Sequence, residues 1–527
     1  MELPEYLPKQ RWVAGKSRGI KSTRIANWVP LNASLNVSSN ISQSALVLLE
    51  VEFETGSPDV YFLPLAMSFG DAANELQRTA PNAIIAPIHS QQGAGLLCDG
   101  AFDDQTCELL FSLIQNANRI NARQVCVRGI RGKAFLDLMV PPGTSLQVRR
   151  ASAEQSNTSI LFGDRFILKL FRRQEPGVNP DAEIGQYLTE KTNFAQIPPF
   201  AGSIEVEGLD ATDGQLANLA LLQGLVANEG DGWKWTLEEL DRYYEASAPL
   251  TLPENLSDEV QAPLELSENP PTQLARDHLG LYLEASATLG LRTAELHRAL
   301  AGPTDNPAFA PEALTDVDLN AQFADIRQHA SGVLDLLKER LPLLPDEVVE
   351  LAASVLSRRR RILDRLGPLN GDFPPIQRSR IHGDYHLGQV LRAKTDFVIL
   401  DFEGEPARPL AVRRSKQCAL KDVAGMLRSF GYAAYTGLLN YTARHPEDLT
   451  RLEPWGRLWE RSAASEFLRA YREAAQSADF LPHRNDDFRR LLHVFLVDKA
   501  LYEVLYELNS RPAWIRIPLM GIMSLVP

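Results

Sequence analysis

The segment from Ile381 to Leu391, IHGDYHLGQVL, constrains the protein more than any other part of the chain. It places a carboxylate, Asp384, five residues before an amide, Gln389. A short apolar strand then ends in a second carboxylate, Asp401. Oxygen donors of these kinds are the ligands that Mg2+ prefers in proteins. The pattern therefore predicts a functional loop and a strand whose carboxyl end carries a candidate metal ligand.

Lys169 adds a cation to the carboxylates and the amide described above. Phosphoryl transfer from a nucleotide needs a carboxylate that orients the attacking hydroxyl, oxygen ligands for Mg2+ and a cation on the donor phosphates. Lys169 lies in the second strand of a predicted hairpin, and Glu183 lies in the helix that follows. Asn179 and Pro180 predict the start of that helix, because Asn caps helix N-termini and Pro suits the first helical position.

These residues follow the order of the protein-kinase motifs. Asp384 and Gln389 have the spacing of the Asp and Asn in the kinase loop H-R-D-x-x-x-x-N, and Asp401 follows a strand as the metal-binding Asp of D-F-G does. The kinase Gly-rich loop is missing. A polar turn stands in its place, and we expect its side chains and backbone amides to hold phosphate: Ser156, Asn157, Thr158 and Ser159.

The chain resembles the bacterial maltokinases, most closely the maltokinase portion found fused to trehalose synthase, within the aminoglycoside phosphotransferase-like kinases. The resemblance runs nearly end to end. It is carried by LPKQRW at 7–12, NTS at 157–159, ILKLFRR at 167–173, GVNPD at 177–181, RTAELH at 292–297, HGDYHLGQVL at 382–391, DFEGEP at 401–406 and NSRPAW at 509–514.

The resemblance implies a function and a fold. The function is ATP-dependent phosphorylation of the anomeric hydroxyl of maltose to maltose 1-phosphate, which feeds α-glucan synthesis. The fold is α+β and bilobal, like that of protein kinases. Its expected parts are a β-rich N-terminal cap at 1–110, a small sheet-plus-helix nucleotide lobe at 111–224, and a large, mostly helical lobe at 225–527 that carries the catalytic loop.

The resemblance also implies roles for particular residues. Asp384 is the catalytic base, and the helical residue Asp422 holds the catalytic loop. The Mg2+ ligands are Gln389 and Asp401. The remaining roles are ATP binding by Lys169 with Glu183 as its ion-pair partner, adenine binding around Gln223 and Leu225, and sugar binding by His386, Arg413, Lys416, Tyr502 and Tyr506. We expect His382 to be a structural histidine, since Asp384 already occupies the position of the base.

Composition limits the other function classes. The formal net charge of -13 opposes binding to nucleic acid and to anionic membranes. The N-terminus lacks the features of a signal peptide, and no apolar run approaches the ~20 residues that span a bilayer, so we expect a cytoplasmic protein. Apolar residues at helical spacing predict helices at 279–301, 318–341, 346–366, 420–440, 455–477 and 488–509. Residues 246–273 have no sustained period and indicate an exposed insertion or lid.

Two alternative functions stay open at this point. The first is a related kinase for another acceptor: glucosamine, glucose or an aminoglycoside. An aminated acceptor favours carboxylates around its pocket, whereas maltose favours aromatic platforms and polar groups that match hydroxyls. The second is a catalytically dead scaffold that binds trehalose synthase or another glucan enzyme. It is less favoured, because the lysine, the base and both metal ligands are present.

Overall fold

The protein is described by a computed structural model. It describes residues 3–31, 43–91, 93–122, 125–139, 146–151, 157–208, 216–251, 265, 267–368 and 373–526. The chain divides into two compact units, Met1–Val226 and Ala227–Pro527. Residues 252–264 and 266 of the predicted insertion lie outside the described residues, so that prediction is not tested.

The first unit combines two antiparallel sheets with short helices. Its described helices are α1 Leu3–Tyr6, α2 Gly70–Thr79, α3 Asp104–Gln115, α4 Phe135–Leu138 and α5 Pro180–Lys191. Its described strands are β1 Ile20–Pro30, β2 Ser44–Phe53, β3 Asp59–Phe69, β4 Ile84–Ser90, β5 Gly93–Asp99, β6 Arg119–Asn121, β7 Cys126–Arg131, β8 Val148–Arg150, β9 Thr158–Phe162, β10 Phe166–Leu170, β11 Arg173–Gln174, β12 Phe200–Glu207 and β13 Leu216–Gly224.

The first sheet forms most of the predicted cap. Its strand order is β1-β2-β3-β5-β4, and β11 adds to β3. Strands β2 and β3 are buried along most of their lengths, as expected for strands with covered faces. Helix α3 runs continuously through residue 110, so the predicted limit of the cap falls inside this helix. The buried side chains of α3 belong to one core that includes residues from both sheets, such as Leu48 and Val206.

The second sheet has the order β6-β7-β12-β13-β10-β9-β8. Strands β9 and β10 form the predicted hairpin, in which Lys169 lies opposite Ser159. On its other side Lys169 lies opposite Leu221 of β13. Strand β13 is a nearly continuous apolar run of the kind that suits an interior strand.

The second unit is mostly helical. Its described helices are α6 Gly232–Ser247, α7 Gln273–Leu279, α8 Leu281–Leu300, α9 Asp316–Arg340, α10 Asp346–Ser357, α11 Arg359–Arg365, α12 Leu410–Arg413, α13 Leu420–Thr442, α14 Leu449–Ala474, α15 Asn485–Ser510 and α16 Arg516–Leu525. Its described strands are β14 Glu312–Leu314, β15 Ile376–Arg378, β16 Val390–Ala393 and β17 Asp396–Ile399. The predicted helices are confirmed, and the segment 346–366 forms two helices, α10 and α11.

Helix α13 is the central element of the second unit. Most of its residues are buried, and it packs against α6, α14 and α15. Gly425 explains its close approach to the functional loop, because a Cβ at this position would lie 2.6 Å from the carbonyl oxygen of Tyr385. The lack of a side chain at Gly425 therefore lets the N-terminal part of this helix pack against the backbone of the loop. Among the helices that the structure describes, none is long and apolar enough to cross a lipid bilayer.

Candidate active site

The candidate catalytic loop, residues 382–389, is held by the buried carboxylate of Asp422. This residue lies in the first turn of α13 and is 2% exposed. Its Oδ2 accepts a hydrogen bond from the backbone N–H of His382 at 2.7 Å, and its Oδ1 accepts one from that of Gly383 at 2.9 Å. Gly383 has a φ of +87°, a region that favours glycine. Asp422 therefore occupies the loop-holding position that the resemblance implied.

Two buried side chains lie behind Asp422. His297 Nε2 is 3.1 Å from Asp422 Oδ2, and His297 Nδ1 is 2.9 Å from the hydroxyl of Tyr471. A proton on Nε2 lets His297 donate to the carboxylate while Nδ1 accepts from the tyrosine. Burial by itself raises the pKa of Asp422, but the hydrogen bonds that its carboxylate accepts, first of all from His297, outweigh this effect, so the net pKa lies below its usual value. The anchor is therefore ionised at neutral pH.

His382 uses both ring nitrogens within the loop. Its Nδ1 accepts from the backbone N–H of Asp384 at 3.3 Å, and its Nε2 donates to the carbonyl oxygen of Leu400 at 2.9 Å. The ring also packs against Tyr385 and Phe402. Because both nitrogens are engaged in shaping the loop, these contacts support the predicted structural role.

The Asp384 carboxylate is paired with a lysine that the sequence analysis missed. Asp384 Oδ1 accepts from Lys499 Nζ at 3.2 Å, and the same Nζ donates to Glu405 Oε1 at 2.8 Å. Burial raises the pKa of Asp384, but the charge of Lys499 more than offsets this effect and the net pKa is lowered. No local signal pointed to Lys499, because it lies in a helical pattern far along the chain. Catalysis by Asp384 stays a prediction.

The two predicted Mg2+ ligands lie together. The side-chain Nε2 of Gln389 donates to Asp401 Oδ2 at 2.9 Å. The backbone carbonyl oxygen of Gln389 accepts from the backbone N–H of Leu400 at 3.1 Å. Asp401 has a φ of +68°, which is strained for a residue with a side chain; such strain concentrates at functional sites. The carboxylate and the amide carbonyl are hard oxygen donors, so this pair fits Mg2+ chemically.

In the first unit, Lys169 forms an ion pair with Asp181. Lys169 Nζ is 3.0 Å from Asp181 Oδ2, and the two side chains are 10% and 0% exposed. The side chain of Asn179 accepts from the N–H of Asp181 at 2.8 Å, which confirms the predicted helix cap. Asp181 and Glu183 share the first turn of α5, so sequence alone could not choose between them. The pairing of Lys169 with Glu183 stays a prediction.

The predicted phosphate-binding turn is described in part. Ser156 lies outside the described residues, and Asn157 immediately precedes β9. The Thr158 hydroxyl accepts from Arg172 Nε at 2.8 Å. Ser159 is buried opposite the predicted phosphate-binding lysine. The turn is therefore tied to the strand that carries this lysine.

The residues predicted to contact adenine lie at the end of β13. Gln223 is buried opposite Ile167. The backbone N–H of Leu225 donates to the carbonyl oxygen of Arg165 at 2.8 Å, so this hydrogen bond extends the pairing of β13 with β10. Contact with adenine stays a prediction for both residues.

The residues predicted to bind sugar are placed differently from one another. Arg413 and Lys416 line a cavity of about 360 Å3 in the second unit, but His386, Tyr502 and Tyr506 are not among the residues that line it. The roles of all five in sugar binding stay predictions.

The two cations at this cavity are engaged with neighbouring loops. Arg413 donates to the carbonyl oxygens of Glu403 at 3.2 Å and Arg408 at 3.1 Å. Lys416 Nζ donates to Glu312 Oε1 at 2.6 Å. Both side chains therefore shape the wall of the cavity.

The other three predicted sugar contacts have local partners. His386 Nδ1 accepts from the N–H of Gly388 at 3.0 Å, and burial lowers the pKa of His386. The ring of Tyr502 lies 4.8 Å from Lys499 Nζ. Tyr506 is 48% exposed. The two tyrosines therefore share a helix but differ in their surroundings.

The cavity reaches the catalytic loop at Gly383, and its lining combines four carboxylates with five Arg and Lys side chains. Its described lining has no Phe, Tyr or Trp, and its carboxylates are Asp318, Asp325, Glu405 and Asp498. The sequence analysis did not single out these four residues. Acids on amphipathic helices usually face solvent, so their convergence had no distinct signal in sequence.

Comparison with known proteins agrees with this architecture. Residues 6–103 match the family described as the maltokinase N-terminal cap domain. The chain is 25% identical over 376 residues to the glucosamine kinase of Streptacidiphilus jiangxiensis, covering 71% of this chain and 72% of that protein. The cap match and this relative agree with the predicted resemblance to sugar kinases. A glucosamine kinase of Mycolicibacterium smegmatis is 24% identical over 380 residues, covering 72% of this chain and 79% of that protein.

Solved structures support the same fold for this kinase-like chain. The structure described as glucosamine kinase in complex with glucosamine, ADP and inorganic phosphate has a TM-score of 0.59 and 20% identity, and the match covers 99% of each chain. A second crystal form of glucosamine kinase has a TM-score of 0.61 at 20% identity, again covering 99% of each chain. The predicted α+β, bilobal kinase-like fold is confirmed.

Proposed function

We propose that the protein transfers the terminal phosphoryl group of ATP to a hydroxyl of a small amino sugar, with glucosamine as the first candidate acceptor. A sugar kinase is supported by the cap match at 6–103 and by the glucosamine kinases that align with most of the chain. The single observation that carries the proposal is the cavity beside the catalytic loop, whose charged lining includes four carboxylates and, among the described residues, no Phe, Tyr or Trp. It joins a wall that bears carboxylates as well as Arg and Lys side chains to the loop that bears Asp384.

The chain's own residues account for the transfer. Lys169 would bind the donor phosphates, and Asp181 would hold this lysine in its strand. Gln389 and Asp401 would hold Mg2+, which would offset the negative charge of the transferred phosphoryl group. Asp384 would accept a hydrogen bond from the sugar hydroxyl and align it for in-line attack.

The lining of the cavity favours an aminated acceptor. Asp318 and Asp325 come from α9, Asp498 from α15 and Glu405 from the loop after β17. Asp318 lies 3.8 Å from Arg378, and Glu405 is bonded to two cations, so both are partly neutralised. Asp498 lies 3.8 Å from His329. An ammonium group can bond one of these carboxylates directly, and hydrogen bonds to charged groups are roughly twice as strong as neutral ones.

Maltose is the second candidate acceptor, with maltose 1-phosphate as its product. The cap match favours it, since the matching family is named for maltokinases. A disaccharide would need aromatic platforms or hydroxyl-matching groups, and the described lining provides only the latter. Association with trehalose synthase goes with this second candidate, and co-purification with that enzyme would test it.

The test is a comparison of acceptors. The purified protein is incubated with ATP, Mg2+ and glucosamine, maltose, glucose or kanamycin; ADP release is followed and the phosphorylated position is determined by NMR. One charged hydrogen bond of about 1.5–3 kcal/mol predicts a kcat/KM for glucosamine roughly 10- to 100-fold above that for glucose. The Asp384→Asn variant is the control for contaminating kinases.

Each outcome separates the candidates. A higher kcat/KM for maltose than for glucosamine would replace the first acceptor with the second. Equal values for glucosamine and glucose would show that the carboxylates do not recognise an ammonium group. No sugar-dependent ADP release with any acceptor, from protein that binds ATP, would favour the scaffold alternative.

A further inference from the structure

We propose that Lys499 is a positioning residue for the catalytic carboxylate. It fixes Oδ1 of Asp384 and leaves Oδ2 for the acceptor hydroxyl. This inference rests on the proposed function, since it assigns Asp384 to that reaction.

The ammonium group of Lys499 bridges two carboxylates. Nζ lies 3.2 Å from Asp384 Oδ1 and 2.8 Å from Glu405 Oε1, and the lysine side chain is 18% exposed. The ring of Tyr502, one turn of α15 away, lies 4.8 Å from Nζ. A cation near an aromatic face gains further attraction when it is partly desolvated. Three surrounding groups therefore restrict the position of this ammonium.

Glu405 places Lys499 independently of Asp384. Glu405 Oε1 accepts from Lys499, while its Oε2 accepts from Arg408 Nε at 3.3 Å. The glutamate is thus held between two cations. Because Lys499 has this second anchor, its Nζ can hold the Asp384 carboxylate in one orientation. A lysine without a second anchor would move with the aspartate as its side chain changed rotamer, and it would not restrict the orientation of the carboxylate.

The pair leaves one oxygen of Asp384 for chemistry. Among the described residues, none donates a hydrogen bond to Oδ2 of Asp384, whereas Oδ1 is taken by Lys499. An acceptor hydroxyl can therefore bond Oδ2 without displacing the lysine. The positive charge of Lys499 also lessens repulsion between the Asp384 carboxylate and the phosphates of ATP. The backbone of Asp384 is held separately by His382, so the lysine acts on the side chain alone.

The test compares Lys499→Met with Lys499→Arg. Methionine keeps most of the aliphatic volume and removes the charge, so the carboxylate can rotate. A misplaced reacting group can cost about 10²-fold, so we expect kcat with the best acceptor to fall by about 10²-fold while the KM for ATP changes by less than about threefold. Arginine can still reach both carboxylates and should restore kcat to at least about one tenth of the original value.

The matched control is Lys338→Met, which removes an exposed lysine from α9. Its kcat and melting temperature should equal those of the unmodified protein. If Lys499→Met does not fold, Glu405→Gln takes its place, because it weakens the second anchor and leaves Asp384 and Lys499 intact; a fall in kcat of about tenfold is expected. Folded Lys499→Met with a kcat within about twofold of the original would overturn the proposal, as would an unchanged kcat for Glu405→Gln.

A crystal structure of Lys499→Met separates this inference from the proposed function. A rotated Asp384 carboxylate supports the positioning role even if no sugar is phosphorylated by the unmodified protein. An unmoved carboxylate contradicts the role even if the protein proves to be an active sugar kinase.

Discussion

Replacing Asp422 by asparagine tests the idea that a buried anion shapes the catalytic loop. The substitution keeps the size of the side chain and removes its charge. Asp422 accepts from His382 N–H at 2.7 Å, Gly383 N–H at 2.9 Å and His297 Nε2 at 3.1 Å. Asparagine has one oxygen and one NH2 group, so its NH2 must face at least one of these donors.

The expected loss follows from these contacts. A hydrogen bond to a charged group contributes about 1.5–3 kcal/mol, and a buried donor left without an acceptor costs about 1–3 kcal/mol. In Asp422→Asn, one hydrogen bond is weakened by the loss of charge, and the new NH2 group faces another N–H donor instead of accepting from it. Together these effects give a destabilisation of about 2–4 kcal/mol. For a unit of this size we expect the melting temperature to fall by roughly 4–10 °C. The kcat should fall by about 10²-fold, because the loop that carries Asp384 loses its anchor.

The assay combines thermal unfolding with steady-state kinetics at a temperature where the variant is fully folded. Tyr471→Phe provides a graded comparison, since it removes only the hydroxyl that bonds His297 Nδ1 and leaves Asp422 with its acceptor contacts. It should cost about 1 kcal/mol and leave kcat nearly unchanged. A melting temperature and kcat for Asp422→Asn equal to those of the unmodified protein would refute the anchoring role.

The pH dependence gives an independent check on Asp422. Its pKa in the folded protein is lower than in the unfolded chain, so its ionised form contributes stability above the unfolded pKa of about 4. That contribution is lost as the pH falls from about 4 through the folded pKa. The gap in melting temperature between the unmodified protein and Asp422→Asn should therefore narrow on acidification from pH 6 towards pH 3. A gap that widened would contradict the sign of the shift.

Three further predictions concern the nucleotide, the metal and the cap. Lys169→Met should lower kcat by about 10²-fold or more in the ADP-release assay, because the donor phosphates lose their cation. Asp401→Asn should weaken Mg2+-dependent ATP binding by roughly tenfold or more in calorimetry, whereas Asp384→Asn should bind ATP normally and lack turnover. Arg172→Met should destabilise the first unit by about 3–5 kcal/mol, because its pair with Asp99 at 2.6 Å is fully buried; adding Asp99→Asn should restore part of the melting temperature.

Local patterns predicted the elements that carry the candidate site. Asn179 and Pro180 marked the start of α5, and the structure shows this cap. Apolar residues at helical spacing predicted α8, α9, α13, α14 and α15. Such predictions succeed because capping and amphipathicity depend on residues within one or two turns of one another.

Contacts between distant residues could not be predicted in the same way. Asp181 and Glu183 lie in the same helical turn, and the packing of α5 against the sheet brings Asp181 to Lys169. Lys499 reaches Asp384 from a helix 115 positions further along the chain. The four carboxylates that line the cavity likewise come from two helices and a loop, and in the sequence each resembles an ordinary solvent-facing acid.

The sequence by itself supplied a lysine in the second strand of a hairpin, an aspartate loop and two candidate metal ligands, and the resemblance to maltokinases implied the helical aspartate that holds the loop. The loop, the hairpin and the metal ligands follow from motif spacing and local patterns, which are short-range. Tertiary structure alone decided that Asp181 pairs with Lys169, that Lys499 pairs with Asp384, and that charged side chains of both signs line the cavity, with no Phe, Tyr or Trp among its described residues. Those properties depend on side chains brought together by helix packing, and charges interact according to their distance in space rather than their separation along the chain.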